Sequence, residues 1–145
     1  RIEDAGFIFK KHVVFVSLQS REGFSALMKS ADLLMDTLGF SGLNTTMQAI
    51  GCGLPVITLE GEYQRSRHAG AILRTLGVEE LITKTETEYI DLVERFILDR
   101  EFRLKIRRKI KDNENCVYRN EAPIRVLEIF FEDVISGSLK GEAIN

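Results

Sequence analysis

The chain has 145 residues, 44% hydrophobic and 29% charged, with a formal net charge of −2. That is enough apolar material for about one soluble globular domain with a real core. The near-neutral charge gives no reason to expect a nucleic-acid or anionic-membrane partner, and no apolar run approaches the ~18 residues of a membrane span.

The chain opens at Arg1 with neither an initiator Met nor a signal-peptide pattern, so a piece excised from a longer protein is expected. Residues 1–11 read as a helix tail and a loop. His12–Ser17 (HVVFVS) is apolar and β-branched, which predicts a buried strand. Ser20 or Ser25 is placed to cap a helix running to about Ser30, with Phe24, Leu27 and Met28 on its inner face. Leu33–Met35 is the next strand, Asn44 or Thr45 to Ile50 a short helix, and Val56–Leu59 another strand. Ser66–Leu76 reads as a helix closed by Gly77, and Leu81-Ile82 as a short strand or turn. Thr87–Leu98 and Glu101–Lys111 are amphipathic helices. Ala122–Ser136, with Pro123 in its first turn, is the last helix, and a polar tail follows from Gly137.

Strands and helices alternate first, and helices alone follow. The expected fold is α/β: a small Rossmann-like parallel sheet flanked by helices, with extra C-terminal helices. The expected domain spans residues 1–136, with 137–145 as tail.

The most informative stretch runs from Ala31 to Arg67. A strand ending at Asp36-Thr37 leads through a glycine-containing loop to the polar cluster Asn44-Thr45-Thr46. A helix follows and stops at Gly51-Cys52-Gly53, and a second strand begins beyond Pro55. This βαβ order sets a helix start at the carboxyl end of a parallel strand, where open α/β sheets bind ligands and helix amides favour anions. Neither a Walker loop nor G-x-G-x-x-G is present, so a phosphate would meet the amides and hydroxyls near Asn44, Thr45 and Thr46. A plain helix cap would use the same residue types. Cys52 and Cys116 are too few and unpatterned for a disulfide framework or zinc site; no metal is expected, and the thiols read as reduced structural groups of a cytoplasmic protein. An Asp at a strand end also fits a receiver domain, but the first strand lacks the acidic pair that a receiver needs. The basic run from Arg103 to Lys111 reads as an exposed amphipathic helix, or else as an anion-docking face.

From Asp36 onward the spacing resembles the catalytic C-terminal half of the O-GlcNAc transferase and SPINDLY-type glycosyltransferases. The residues that carry the resemblance are Asp36-Thr37, Gly42, Thr45-Thr46, Gly53-Leu54-Pro55-Val56-Ile57-Thr58, Gly61-Glu62, Ser66-Arg67 and the helix end Leu73–Gly77. The similarity covers roughly residues 12–135. The resemblance implies the C-terminal half of a GT-B fold that holds a UDP-sugar donor (UDP-GlcNAc or UDP-glucose). It also implies no metal ion, inversion at the sugar, a protein acceptor and a missing N-terminal Rossmann half.

Carried over by position, Asn44 and Thr45 would meet the diphosphate, and Gln48 would take the ribose hydroxyls where relatives usually place an acid. Arg21 stands where a basic residue lies near the diphosphate. Ser17, Leu18 and Gln19 would line the uracil pocket through backbone groups. Leu43 replaces a frequent histidine and offers packing or its backbone N–H. Phe24 also stands where histidine is common, and it reads as core or as a border of the base. Arg67 could reach the donor cleft or pair with a carboxylate such as Glu62. His68 reads as a surface residue. No general base is evident, so catalytic groups are expected in the missing half and the isolated chain is expected to turn over nothing. The alternatives are a GT-B enzyme acting on a small molecule or glycan, a UDP-sugar epimerase, or a non-catalytic degenerate Rossmann scaffold.

Overall fold

The computed structural model describes residues 3–137. Three short parallel strands form the sheet, in the order β1 (Leu34–Met35), β2 (Val56–Leu59), β3 (Ile82–Thr83). Leu34 pairs with Val56 and Met35 with Ile57; Thr58 pairs with Ile82 and Leu59 with Thr83. Seven α-helices are described: α1 (Phe9–His12), α2 (Arg21–Ser30), α3 (Leu43–Gly51), α4 (His68–Thr75), α5 (Glu86–Leu98), α6 (Arg100–Tyr118) and α7 (Ala122–Ser136). Helix α3 links β1 to β2, and α4 links β2 to β3, so both crossovers are the helical kind that parallel strands require. The Rossmann-like α/β reading of the sequence is the architecture observed.

The core is continuous across the layers. Ile50 of α3, Ile57 of β2, Leu73 of α4, Phe96 of α5, and Ile106 and Ile110 of α6 are all essentially inaccessible to solvent. Both crossover helices end the same way. Gly77 and Gly53 each adopt φ +69°, the left-handed region that costs glycine little. After α4, the amides of Gly77 and Val78 reach back to the carbonyls of Arg74 and Leu73. After α3, those of Gly53 and Leu54 reach Ile50 and Ala49. Each is a Schellman closure, and each turns the chain sharply into the next segment.

The expected strand over His12–Ser17 does not form. His12 closes the short helix α1, Val13 is extended, and the following residues form no strand, with Val14 and Phe15 each 83% exposed. β-branched residues favour an extended backbone, yet a strand exists only through its ladder, and no described strand pairs with this run. Leu27 is a smaller correction. It is exposed, because α2 meets α3 along the Phe24–Met28 edge, one turn apart.

Helix α3 starts at Leu43, one residue earlier than the cap reading implied, because Gly42 is the N-cap. The helix expected from Ser66 is a 3₁₀ turn, Gln64–Ser66, followed by α4. Helix α6 runs seven residues past Lys111. Asp112, Asn113 and Asn115 are weak helix formers, but Asn113 Nδ2 donates to the Leu76 carbonyl at 2.8 Å and holds this stretch against α4. Helix α7 has the expected bounds and buries no residue. Beyond Gly137, the expected polar tail lies outside the described residues.

Candidate functional site

Asp36, at the carboxyl end of β1, organises the loop that starts α3. Its buried carboxylate accepts the hydroxyls of Ser41 and Thr58, each at 2.7 Å, and the Gly42 amide at 3.0 Å. Ser41 in turn accepts the Ala69 amide at 2.8 Å, in the first turn of α4. The starts of α3 and α4 are thereby tied to one carboxylate. Tyr89 of α5 adds a bond from its hydroxyl to the Asp36 carbonyl. Burial and the Asp36 charge raise its phenol pKa, so it stays protonated and able to donate.

The start of α3 has no side-chain cap, which leaves its first-turn amides free for another acceptor. Leu43, Asn44 and Thr45 are exposed there. Asn44 and Thr45 make no side-chain hydrogen bond among the described residues, so both offer polar groups to solvent beside those amides. Thr46 differs. It is fully buried, and its hydroxyl donates to the Gly42 carbonyl within its own helix. Its side chain is directed into the fold and not toward a ligand.

A cavity of about 320 Å³ lies between α2 and α3. Arg21, Phe24, Ser25 and Met28 line it from α2, and Met47, Gln48 and Gly51 from α3. Cys52, just past α3, and Tyr118 complete it. Asn44, Gln48 and Gly51 recur at i, i+4 and i+7, so the helix start and the cavity share one face of α3. Two candidates from distant sequence positions, Arg21 and Gln48, therefore line one cavity, together with Phe24. Cys52 sits 3.4 Å from the Ser25 hydroxyl and joins α2 to the end of α3.

The remaining candidates lie outside the cavity. Gln19 donates from its amide to the Ser17 carbonyl at 2.8 Å, which pins the loop before α2. Arg67 donates from Nε to the Gly61 carbonyl at 2.9 Å, so its observed partner is a backbone oxygen of the loop after β2. Its neighbour Ser66 is buried and donates to the Tyr63 carbonyl. The Gly61/Ser66-Arg67 spacing thus closes one tight loop beyond β2. Among the described residues no cluster of three or more His, Cys, Asp or Glu is arranged to hold a metal. No described helix is long and apolar enough to cross a membrane.

Sequence reasoning missed Tyr118 and Asp36. Tyr118 carried no signal, because α6 was expected to end before it. Asp36 stood out as a motif residue, but its three donors come from separate segments.

A parallel α/β sheet with helical crossovers defines a Rossmann-like domain. Comparison with known proteins narrows this. The sequence model of Glycosyl transferase family 41 matches residues 2–121, and the chain belongs to that family. It is 32% identical over 98 residues to the UDP-N-acetylglucosamine--peptide N-acetylglucosaminyltransferase of Caenorhabditis elegans, covering 68% of this chain and 8% of that protein. It is 30% identical over 60 residues to the probable SPINDLY enzyme of Solanum lycopersicum, covering 41% of this chain and 6% of that protein. Among solved structures it is similar to a K341M mutant of the Thermobaculum terrenum O-GlcNAc transferase, with a TM-score of 0.65 and 32% identity. That likeness covers 67% of this chain and 19% of the other. The chain thus spans less than a tenth of the length of these curated relatives. The structural likeness accords with the sheet being one half of a GT-B fold.

Proposed function

We propose that the chain is the donor-binding domain of a metal-independent glycosyltransferase that takes a UDP-sugar and glycosylates protein side chains. The observation that carries this reading is the single face of α3. An uncapped helix start with Asn44 and Thr45 exposed lies above a cavity lined by Gln48 and Arg21. A diphosphate suits the upper end, where free amides, the Asn44 amide and the Thr45 hydroxyl donate to anionic oxygens. The Arg21 guanidinium supplies positive charge from the facing helix. Gln48, one turn below, both donates and accepts, as a ribose diol requires. Leu43 adds only its backbone N–H.

The chemistry for which these groups are suited is stabilisation of charge on a departing nucleoside diphosphate. None of them is placed as a general base. The relatives named above are peptide N-acetylglucosaminyltransferases, which supports a nucleotide-sugar donor and a protein acceptor for the longer protein. On this reading the acceptor site and the catalytic base would be supplied by parts of the enzyme other than the described residues.

Calorimetric titration of the chain with UDP tests the reading. Sub-millimolar binding is expected, weakened at least about tenfold (~1.4 kcal/mol) in the Thr45→Val/Gln48→Ala double variant. No heat at several millimolar UDP, or a double variant that binds like the parent, would overturn it.

A further inference from the structure

The α2–α3 cavity is walled at one side by a residue from outside the βαβ unit. Tyr118, the last residue of α6, lines it beside Phe24, Gln48 and Gly51. Its hydroxyl donates to the Met47 carbonyl of α3. A Cβ on Gly51 would lie 2.8 Å from Tyr118 Oη, closer than real contacts allow, and 3.4 Å from Cζ. Glycine at 51 and tyrosine at 118 are therefore a matched pair. The ring occupies the space that any side chain at 51 would claim.

Core packing does not account for this ring. The residues that α6 buries are Phe102, Ile106 and Ile110, and Tyr118 lies two turns beyond them with 47% of its surface exposed. Burial of the hydroxyl raises the phenol pKa, so near neutral pH it remains a neutral donor fixed on Met47. The wall is thus held in place by a bond to the helix it faces.

The cavity's lining suits a ring rather than a phosphate. Phe24, Met28 and Met47 are apolar, while Gln48, Ser25 and Arg21 add polar groups to the lining. Flat, apolar-faced rings with polar edges are the ligands such mixed sites take. Phosphate oxygens are better served at the helix start, one turn away.

We infer that Tyr118 is a specificity-determining residue of this cavity, walling it on one side so that a single-ring nucleobase enters and a two-ring base does not. The inference rests on the nucleotide-binding reading above. Size exclusion of this kind works by clash with a fixed wall, so relaxing the wall should admit the larger ring without loss of the smaller.

The test titrates the whole chain with UDP and with ADP. The parent should bind UDP at least about tenfold more tightly than ADP. Tyr118→Ala should bring the two within about threefold, through tighter ADP binding. Tyr118→Phe keeps the ring and should keep most of the preference. Gly51→Ala must displace the ring from the opposite side, and it should shift the UDP-to-ADP ratio without any change at position 118. Thermal unfolding followed by circular dichroism confirms that each variant is folded. A parent that binds UDP and ADP equally overturns the inference. So does a folded Tyr118→Ala and a folded Gly51→Ala that both retain the parent's ratio; UDP binding then still stands. A parent that binds neither nucleotide overturns both the inference and the reading beneath it.

Discussion

The Asp36 carboxylate accepts the Gly42 amide at 3.0 Å, and this bond sets where helix α3 begins. The same carboxylate takes the Ser41 and Thr58 hydroxyls. Asp36→Ala would leave three donors around a buried void, at a cost of about 3 kcal/mol. Asp36→Asn retains an acceptor oxygen and the shape, so about 1–2 kcal/mol is expected. Urea denaturation of the two variants measures both. An alanine variant as stable as the parent would show that this carboxylate does not organise the loop.

Thr45 and Thr46 are adjacent, chemically identical and oppositely placed. Thr45 is exposed at the helix start, whereas the Thr46 hydroxyl is turned back to the Gly42 carbonyl. That carbonyl already accepts the first helical amide, so loss of the hydroxyl strands no acceptor. Thr46→Val should therefore change stability by no more than about 1 kcal/mol and leave UDP affinity intact. Thr45→Val should leave stability intact and weaken UDP binding severalfold. Calorimetry and thermal melts on the pair separate the two roles.

The contrast between these threonines also marks how far the sequence could be read. Thr46, Ala49 and Ile50 fall at helical spacing, so the buried phase of α3 was present in the string. The βαβ order, the Gly77 closure and the bounds of α7 were legible for the same reason: each rests on local chemistry. His12–Ser17 misled because strand preference describes what a segment does beside a partner, and no partner is described. The end of α6 was hidden because its helicity depends on Asn113 reaching Leu76, 37 positions away. Arg21 and Gln48 were legible only through resemblance. Tyr118 was not legible at all, since nothing local ties it to Gly51.

Glu60, immediately after β2, carries the strongest electrostatic signal. Arg74 grips its carboxylate with two bonds of 2.7 Å, and Lys84 approaches at 3.1 Å. The Arg74 bonds, against some desolvation and aided by Lys84, lower its pKa from 4.5 to about 2. The folded chain therefore holds this proton less tightly than the unfolded one. The stabilisation is complete above pH 4.5 and is lost as the pH falls toward 2. Glu60→Gln should lower the melting temperature near neutral pH, and the two curves should converge across that acid window. Arg74 and Lys84 are partly exposed, so high salt should shrink the difference.

The basic run of α6 has a structural use that neither sequence reading anticipated. Arg103 donates to the Phe96 and Ile97 carbonyls at the end of α5. Arg107 donates to the Ala31 and Asp32 carbonyls, each at 3.2 Å, at the end of α2. Lys109 reaches the Gly77 carbonyl past α4. Helix ends carry unpaired carbonyls and partial negative charge, and three cations of one helix meet three such ends. Arg107→Ala should cost about 1 kcal/mol, and Arg108→Ala, on the exposed face, less than about 0.5 kcal/mol. Equal losses in guanidinium denaturation would favour nonspecific charge over capping.

Helix α7 obeys the local rules for a helix and none of the rules for a core element. Pro123 sits in its first turn, and Gly137 closes it at φ +69°. Yet Ile124, Leu127, Phe130, Phe131, Val134 and Ile135 are each at least half exposed. Apolar side chains stabilise a fold only by the area they remove from water, and these remove little. Truncation after Asn120 should therefore leave the cooperative unfolding midpoint in urea unchanged within error. It should also lower the binding of a hydrophobic dye such as ANS, because the largest run of exposed apolar side chains is gone. A truncated chain that unfolds at distinctly lower urea would show that α7 packs on the sheet domain in solution.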